Sequence, residues 1–432
     1  MMQKPMTRTE RAMRVIPGGL SSSVRNYPSG IEVLRADGPY FWDAHGKRYL
    51  DFFGSAGPMV LGYNNRNLNR KVSEAVVKYD PRSIGCSKPE YDAAEKIHKY
   101  IKGAENVLFC NGGSDATFHA IRVSRALTGK EKIVKMQGSF HGWHDYVLMN
   151  VNTQLNHLYQ QDLESAGMLK SVADKTLHAR MNDLEHLEKI INDNKGEIAA
   201  LIIDPCGTSF GFMQVNPQYM AGVRKLCDQE GIILIFDEVV SGFRVALGGA
   251  GWLFNVTPDL VTLGKALANG YPIAALCGKK DIMKLFNTNE GGKVEYQDFS
   301  YGNPVMCSAV LATIEELEQP GIYEHMEEIG DLLCKGLEEI TARLNIPFST
   351  QHKGSLIGLY FGNGPYRNHE EVLETVDAQL SINFRKGMVG KGFFLPPGAT
   401  RRVVLSYAHS KDDVLATLQA AEDTLKELRK TN

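Results

Sequence analysis

Short apolar segments alternate with amphipathic segments between about residue 90 and residue 265, and this alternation constrains the fold more than any other feature. Helical spacing of apolar residues separates the strand-like segments, as in Ala116–Leu127 and Pro217–Glu230. Such a chain is expected to build an α/β fold around a mainly parallel sheet, because each helix crosses over and returns the chain to the same sheet. The strand-like segments are Asn106–Cys110, Lys132–Met136, Ile198–Ile203, Ile232–Phe236 and the stretch from Val256 that leads to Lys265.

The rest of the chain predicts a second, smaller unit. After about residue 304 helical patterns dominate, and strand patterns return only at 354–361 and 402–406. A chain of 432 residues is also too long for one ordinary hydrophobic core. We predict an N-terminal segment at 1–60, a large domain at 61–310 and a small C-terminal α+β domain at 311–432.

Composition and charge exclude two classes of partner. A formal net charge of −2 leaves no basic excess for binding nucleic acid. No apolar run is long enough to span a membrane, and the first ten residues lack the apolar core of a signal peptide. Seven cysteines, an odd number without metal-ligand spacing, indicate reduced thiols. We therefore predict a cytoplasmic protein that binds neither nucleic acid nor a membrane.

Residues suited to hold a cofactor follow five of the predicted strands. Open α/β sheets bind ligands at the carboxyl ends of their strands, so these residues are expected to lie together. Each has an ordinary explanation when taken alone, since glycine turns, acids at strand ends and lysines after turns are common. Their recurrence at five strand ends favours one shared site instead. The five positions are Gly112–Ser114, Phe140, Asp204, Asp237 and Lys265.

Lys265 and Asp237 together suit a pyridine cofactor that carries an aldehyde. A lysine amine can form an imine with the aldehyde, and a carboxylate beside the ring nitrogen can keep that nitrogen protonated. Once a substrate amine has displaced it, the lysine can move a proton at the substrate carbon. Phe140 and Val239 would cover the two faces of the ring. The glycine turn before the helix would hold a phosphate through its backbone amides.

Two other groups of residues leave alternatives open. Residues 16–25 form a Gly/Ser-rich loop that ends in Arg25. This loop is either a linker or a rigid support for a guanidinium that binds a substrate carboxylate. His141 and His144 invite a metal-site interpretation, but no third ligand of suitable spacing accompanies them, so we predict no metal.

Five motifs support a resemblance to a known family. They are Val15–Arg25, Phe140–Gly142, Phe236–Arg244, Thr257–Lys265 and Gly302–Pro304. Through these motifs the chain resembles the class III, subgroup II, pyridoxal-phosphate-dependent aminotransferases over nearly its whole length. Within that family it is most similar to the branch of the glutamate-1-semialdehyde 2,1-aminomutases.

The resemblance implies fold type I, with a mainly parallel seven-stranded sheet in the large domain and a smaller α+β C-terminal domain. It implies pyridoxal 5′-phosphate as the cofactor and a homodimer with its active site at the interface. It places the Schiff base on Lys265 and the partner of the ring nitrogen on Asp237, and it assigns the substrate carboxylate to Ser22 and Arg25. Its cofactor contacts otherwise correspond to Gly112, Gly113, Ser114, Phe140, His141, Asp204 and Val239.

Three positions depart from the family pattern around the cofactor. The phosphate turn reads Gly112–Ser114 instead of Ser-Gly-Thr, and Asp204 replaces the usual glutamate. Phe299 stands where the family has a threonine that reaches the phosphate of the neighbouring subunit. We predict that the hydroxyl of Ser300 takes over this contact.

Two further departures concern the substrate. Ala56 replaces a tryptophan of the aminomutases, and Arg401 replaces a glutamate close to their pocket. Such changes should alter the choice of substrate and leave the cofactor chemistry intact. We therefore predict an enzyme, an aminotransferase that acts between an amino donor and an oxo acceptor, at least one with a carboxylate that Arg25 and Arg401 contact. The alternatives are glutamate-1-semialdehyde aminomutase, a related isomerase or racemase, and a non-catalytic binding protein of the same fold.

Overall fold

The computed structural model describes residues 8–25, 31–80 and 84–431. Its strands, β1 to β14 in chain order, are Val33–Asp37, Tyr40–Asp43, Arg48–Asp51, Asn106–Cys110, Lys132–Met136, Thr176–Ala179, Ile198–Ile203, Ile233–Glu238, Leu260–Leu263, Ala274–Gly278, Ser349–Lys353, Leu356–Tyr360, Phe393–Phe394 and Val403–Val404. Its helices, α1 to α14, are Arg8–Val15, Arg66–Tyr79, Lys88–Tyr100, Gly113–Thr128, Lys170–Ala173, Leu184–Asp193, Pro217–Glu230, Gly249–Leu253, Lys280–Met283, Pro304–Leu317, Ile322–Arg343, His369–Thr375, Ala378–Gly390 and Lys411–Thr431.

The central sheet has seven strands, in the order β4-β10-β9-β8-β7-β5-β6. Strand β10 is antiparallel to both of its neighbours, and the other pairs are parallel. This arrangement confirms the predicted α/β class and the mainly parallel seven-stranded sheet. None of the described helices is both long and apolar enough to cross a membrane.

Helices cover both faces of the central sheet, so its inner strands are buried on both sides. All six residues of β7 are buried, as expected for a parallel strand between two helical layers. One face packs against α4, and the other packs against α6 and α7. The carboxyl ends of the parallel strands therefore form the edge from which loops can build a ligand site.

Two smaller sheets accompany the central one. Strands β1, β2, β3 and β13 form a four-stranded sheet, in which β3 and β13 are parallel. Strands β11, β12 and β14 form an antiparallel sheet that packs against α11 and α14. An N-terminal strand thus pairs with a strand near the C-terminus. The domain boundaries at residues 60 and 310 stay predictions.

The structure differs from the sequence-based assignment at a few elements. Strands β6 and β10 are not predicted from the sequence, because β6 has four residues and β10 consists mostly of small residues. Helix α4 begins at Gly113 and not at Ala116, since the Asp115 carboxylate caps the amide of Gly112. The stretch 149–175 is irregular apart from short helical turns.

Candidate active site

Asp237 lies at the carboxyl end of β8, and only 7% of it is exposed. Its Oδ2 lies 2.7 Å from Nδ1 of His141, and its Oδ1 accepts hydrogen bonds from the Thr262 hydroxyl and the Val239 amide. Burial by itself raises the pKa of Asp237, but the contact with His141 and the other donors bring its pKa below the usual value. Asp237 therefore supplies a fixed negative charge at neutral pH.

His141 occupies the loop that follows β5, directly beside Asp237. The Thr117 hydroxyl donates to the His141 carbonyl and thereby ties this loop to α4. The other ring nitrogen, Nε2, is buried and has no hydrogen-bond partner among the described residues. A buried polar atom without a partner is costly, so this nitrogen marks a place where a polar ligand fits.

Lys265 follows β9 and begins a short 3-10 turn, Lys265–Ala268. Its φ of +47° lies in the left-handed region, where a residue other than glycine bears strain of order 1–3 kcal/mol. Burial and the guanidinium of Arg402 lower the pKa of Lys265 to about 7, although Asp237 and Asp204 act in the opposite direction. A substantial fraction of the amine is then uncharged at neutral pH, and the uncharged amine is the form that attacks an aldehyde.

The glycine turn at the amino end of α4 packs against Val239, the residue that follows β8. A β-carbon on Gly113 would lie 2.8 Å from Cγ1 of Val239, and one on Gly264 would lie 3.3 Å from the same atom. Val239 therefore fits between the turn and the residue that precedes the lysine. A β-carbon on Gly142 would lie 3.0 Å from the hydroxyl of Ser114. Glycine at 113 and 142 thus allows the predicted cofactor residues to approach one another.

Replacement of Gly113 by alanine should weaken cofactor binding, because the added methyl group would overlap Val239. Overpacking of this kind costs about 1–3 kcal/mol, which is roughly a 5- to 150-fold loss of affinity. The measurement is the dissociation constant of the cofactor, followed by its absorbance. Gly390→Ala is the matched control, since a β-carbon there meets nothing within 4 Å. Adding Val239→Ala to the Gly113 variant should restore part of the affinity, because it removes the overlap but also the predicted contact of Val239 with the ring. Equal effects of Gly113→Ala and Gly390→Ala would contradict the close approach.

Asp204 and Phe140 lie on loops that border the same site. Asp204 follows β7, and its carboxylate accepts hydrogen bonds from the amides of Cys206 and Thr208 and from the Thr208 hydroxyl. These bonds shape the loop after the strand. Phe140 is 48% exposed, and its amide donates to the hydroxyl of Ser209. Its ring is thus accessible in the single chain.

Ser300 lies next to the glycine turn of its own chain. Its hydroxyl exchanges hydrogen bonds with the side-chain amide of Asn111, the residue directly before Gly112. Asp298 accepts hydrogen bonds from both Asn111 and Ser300. The neighbouring Phe299 is 91% exposed. The predicted contact of Ser300 with a phosphate stays a prediction.

The cation beside Lys265 is Arg402, which the sequence analysis did not single out. A β-carbon on Gly57 would lie 3.6 Å from Nη2 of Arg402 and 4.0 Å from Cδ of Lys265, so the three residues meet. Burial lowers the pKa of Arg402 to about 10, against the effect of Asp204. Arg401 is exposed in the single chain, and its contact with the substrate stays a prediction. The only signal in the sequence was the pair Arg401-Arg402, which does not say which side chain points inward.

In the part of the chain that the structure describes, no hydrogen bond or ion pair joins the predicted substrate residues Ser22 and Arg25 to the residues around Lys265. Ser22 is half-buried, and Arg25 is exposed at the end of a 3-10 turn. The Arg25 amide donates to the carbonyl of Ser22. Among the described residues, no hydrogen bond or ion pair joins the Arg25 side chain to a partner. Their role in substrate binding stays a prediction.

The residues gathered around Lys265 fit pyridoxal phosphate. The amino end of α4, at Gly113 and Ser114, suits the phosphate because helix amino ends attract anions. Asp237 suits a protonated ring nitrogen, and Lys265 suits the aldehyde. His141, whose Nδ1 contacts Asp237, adds an unpartnered polar atom, Nε2. Each part of the cofactor therefore has a chemically matched residue within one cluster.

Comparisons with known proteins agree with this chemistry. The glutamate-1-semialdehyde 2,1-aminomutase of Chlorobaculum tepidum is 35% identical over 425 residues, which is 96% of this chain and 96% of that protein. The aminomutase of Desulfatibacillum aliphaticivorans is also 35% identical, over 99% of this chain and all of the relative. The crystal structure of an omega-transaminase from Sphaerobacter thermophilus matches with a TM-score of 0.92 at 26% identity, over 98% of this chain and 97% of that one.

A family comparison assigns the chain directly. The description of class-III aminotransferases matches residues 21–390, which is most of the chain. The predicted resemblance, fold type and cofactor are thereby confirmed. The chain belongs to the class-III aminotransferase family, and its cofactor is pyridoxal phosphate.

Proposed function

We propose that the chain is an aminotransferase that moves an amino group between an amino donor and an oxo acceptor, at least one of which carries a carboxylate. The observation that carries this proposal is Arg402 beside Lys265. Arg402 makes no ion pair with any of the described residues, and the nearby Asp204 already accepts three hydrogen bonds from its own loop. A cation in a partly buried pocket without a carboxylate partner favours an anionic group on the substrate.

Each residue of the site has a separate role in the proposed transfer. When bound, pyridoxal phosphate supplies an aldehyde that condenses with amines and a ring that draws electrons from the substrate carbon. Lys265 would provide an uncharged amine for the aldehyde of the cofactor and a group that can hold or move a proton at the substrate carbon. Asp237 keeps a negative charge beside the ring nitrogen, and His141 holds the carboxylate in place. The amino end of α4 would hold the phosphate and so fix the position of the whole cofactor.

Two differences from the aminomutases, at Ala56 and at Arg401, support a transaminase over an aminomutase. Ala56 stands where the aminomutases have a tryptophan, and Arg401 stands where they have a glutamate. These two changes are expected to widen the pocket and to make it more positively charged. We propose that Ser22, Arg25 and Arg401 add further contacts to the substrate once the loops around the pocket are assembled.

The second candidate is glutamate-1-semialdehyde 2,1-aminomutase, an intramolecular transfer on the same scaffold. It is favoured by the two relatives that are 35% identical and carry this name. Both candidates use the same cofactor, lysine and aspartate. They differ in whether a second substrate is needed to complete the cycle.

The deciding experiment counts turnovers with and without an acceptor. The cofactor-loaded protein is mixed with single amines, amino acids among them, and cofactor absorbance and product are followed together. For a transaminase, we expect one equivalent of amine to be consumed per subunit, and further turnover only after an oxo acid is added. The control is the same protein without cofactor. Many turnovers of glutamate 1-semialdehyde without an acceptor would establish the aminomutase instead.

We also propose a cytoplasmic homodimer with the active site at its interface. Large apolar side chains near the cofactor residues support this, since Phe299 is 91%, Trp143 67% and Phe140 48% exposed in the single chain. Exposed apolar surface of this kind is typical of an interface between subunits. All seven cysteines are free thiols, which suits a reducing compartment. Light scattering of the purified protein measures the assembly.

A further inference from the structure

The turn Gly54–Gly57, which follows β3, has an unusual backbone. Its four residues have consecutive positive φ values of 52°, 57°, 74° and 107°. Glycine adopts this region readily, but Ser55 and Ala56 carry a β-carbon that makes it unfavourable. Residues in such conformations persist only where their surroundings hold them. The contacts of this turn therefore matter for its shape.

Two arginines hold neighbouring carbonyl groups of the turn. Nη2 of Arg244 donates to the Gly57 carbonyl at 2.6 Å, and Nη2 of Arg402 donates to the Ala56 carbonyl at 2.8 Å. Within the turn, the Gly57 amide donates to the carbonyls of Phe53 and Gly54. The two arginines come from distant parts of the chain and reach the turn from outside it. Their hydrogen bonds fix the orientation of two consecutive peptide groups.

Arg244 is anchored at its other end by the C-terminal part of the chain. Its Nη1 donates to the Ser355 hydroxyl at 2.9 Å and to the Leu405 carbonyl at 3.0 Å. The residue is completely buried and makes no ion pair among the described residues. Burial and the charge of Arg402 lower the pKa of Arg244 to about 9. An unpaired buried guanidinium destabilises the folded protein, so we expect Arg244 to serve a specific role that offsets this cost.

The turn forms a wall of the active site. A β-carbon on Gly57 would lie 4.0 Å from Cδ of Lys265, so the backbone of the turn runs against the side chain of the reactive lysine. The neighbouring Ala56 is partly exposed. A shift of this turn would therefore change the space beside the lysine.

We propose that Arg244 is a positioning residue of the active site, which holds the strained Gly54–Gly57 turn against Lys265 and so sets the space where an amine meets that lysine. This inference rests on the proposed function of Lys265. Arg244 does not touch the reacting atoms and acts through the turn. Arg402 is the second support of the same turn.

The test uses Arg244→Lys, which keeps the charge but cannot reach Gly57, Ser355 and Leu405 together. The probe is aminooxyacetate, a small amine analogue with a carboxylate. The measured quantity is the rate at which this probe changes the absorbance of the bound cofactor. We expect the starting spectrum of the variant to match the wild type and the reaction to be about tenfold slower, because the wall is displaced. Hydrogen exchange at the amides of 57 and 59 should also become faster.

Glycine substitutions in the turn separate positioning from a general structural role. Glycine adopts positive φ without strain, so Ser55→Gly with Ala56→Gly should restore most of the rate to the Arg244→Lys variant. Asn345→Gly is the matched control, because Asn345 has a φ of 51° and follows α11, away from Lys265. The control should restore nothing. If the glycine pair leaves the rate as low as before, Arg244 acts only by joining parts of the chain and the proposal is overturned.

A second variant, Ser355→Ala, tests the same proposal. If Arg244→Lys does not fold, Ser355→Ala removes one anchor of Arg244 and should slow the reaction in the same direction, to about a third of the wild-type rate. An unchanged rate and unchanged hydrogen exchange in that variant would overturn the proposal. A wild-type protein that binds no cofactor would refute the function of Lys265 instead, which distinguishes the two failures.

Discussion

Replacement of Lys265 by alanine is expected to abolish covalent attachment of pyridoxal phosphate and to lower the transfer rate by about 10⁴-fold or more. In the proposed function the lysine supplies both the attacking amine and the group that moves the proton, and such groups contribute large rate factors. Lys265→Arg should fail equally, since it keeps a cation but cannot attack the aldehyde. Attachment to the wild type should become faster as pH rises to about 7 and then level off, because the uncharged amine accumulates above the pKa of Lys265.

A second lysine provides a demanding control for this expectation. Burial also lowers the pKa of Lys135 to about 7, so a low pKa does not by itself identify the reactive lysine. The amine of Lys135, however, donates hydrogen bonds to the carbonyls of Val147 and Met149 and is completely buried. Borohydride reduction followed by peptide mass analysis should therefore find the cofactor on Lys265 and not on Lys135. Label on Lys135 would contradict the assignment.

Replacement of Asp237 by asparagine is expected to lower the transfer rate by roughly 200- to 5000-fold while the cofactor still binds. The amide has the same shape and can keep the contacts with Thr262 and His141, so the change removes mainly the negative charge. Loss of one partner of a buried charge pair costs about 3–5 kcal/mol, which corresponds to that range of rates. The measurement is the single-turnover rate, followed by the cofactor absorbance.

Asp259→Asn is the matched control for the charge at 237. Asp259 is also 7% exposed, and it pairs with Arg224 and Lys279 at the opposite end of the sheet, before β9 begins. Its replacement should lower the unfolding temperature and leave the transfer rate nearly unchanged. The Asp237 variant should show the reverse pattern. Similar rate losses in both variants would mean that the charge beside the ring nitrogen is not what matters.

The parallel core of the sheet was predictable because its signals are local. Strand β7 and the first four residues of β8 are continuous apolar runs. Asp237 directly follows the run in β8, and Lys265 follows β9 after a single glycine. Their convergence follows from the general geometry of parallel sheets. Strand β10 is antiparallel and made of small residues, so its pattern carries little information. The count of seven strands came from the family resemblance.

The contacts of Arg402 were not predictable from sequence patterns. Its guanidinium donates to carbonyls 194 and 346 residues away along the chain, at Thr208 and Ala56. No periodicity encodes a backbone contact over that separation, and a pair of adjacent arginines does not reveal which one faces inward. The same limit applies to Arg244, whose motif suggests a loop after a strand but not the turn that it holds.

The parallel pairing of β3 with β13 has a consequence for biosynthesis. Residues 48–51 find this partner only after residues 393–394 have been made, whereas all strands of the central sheet lie between residues 106 and 278. Domains tend to fold as units during synthesis, so the central sheet can form before β13 is available to pair with β3. The turn after β3 and Arg402 would then reach Lys265 last. We therefore expect the pocket around Lys265 to be completed only after the C-terminal region has been made.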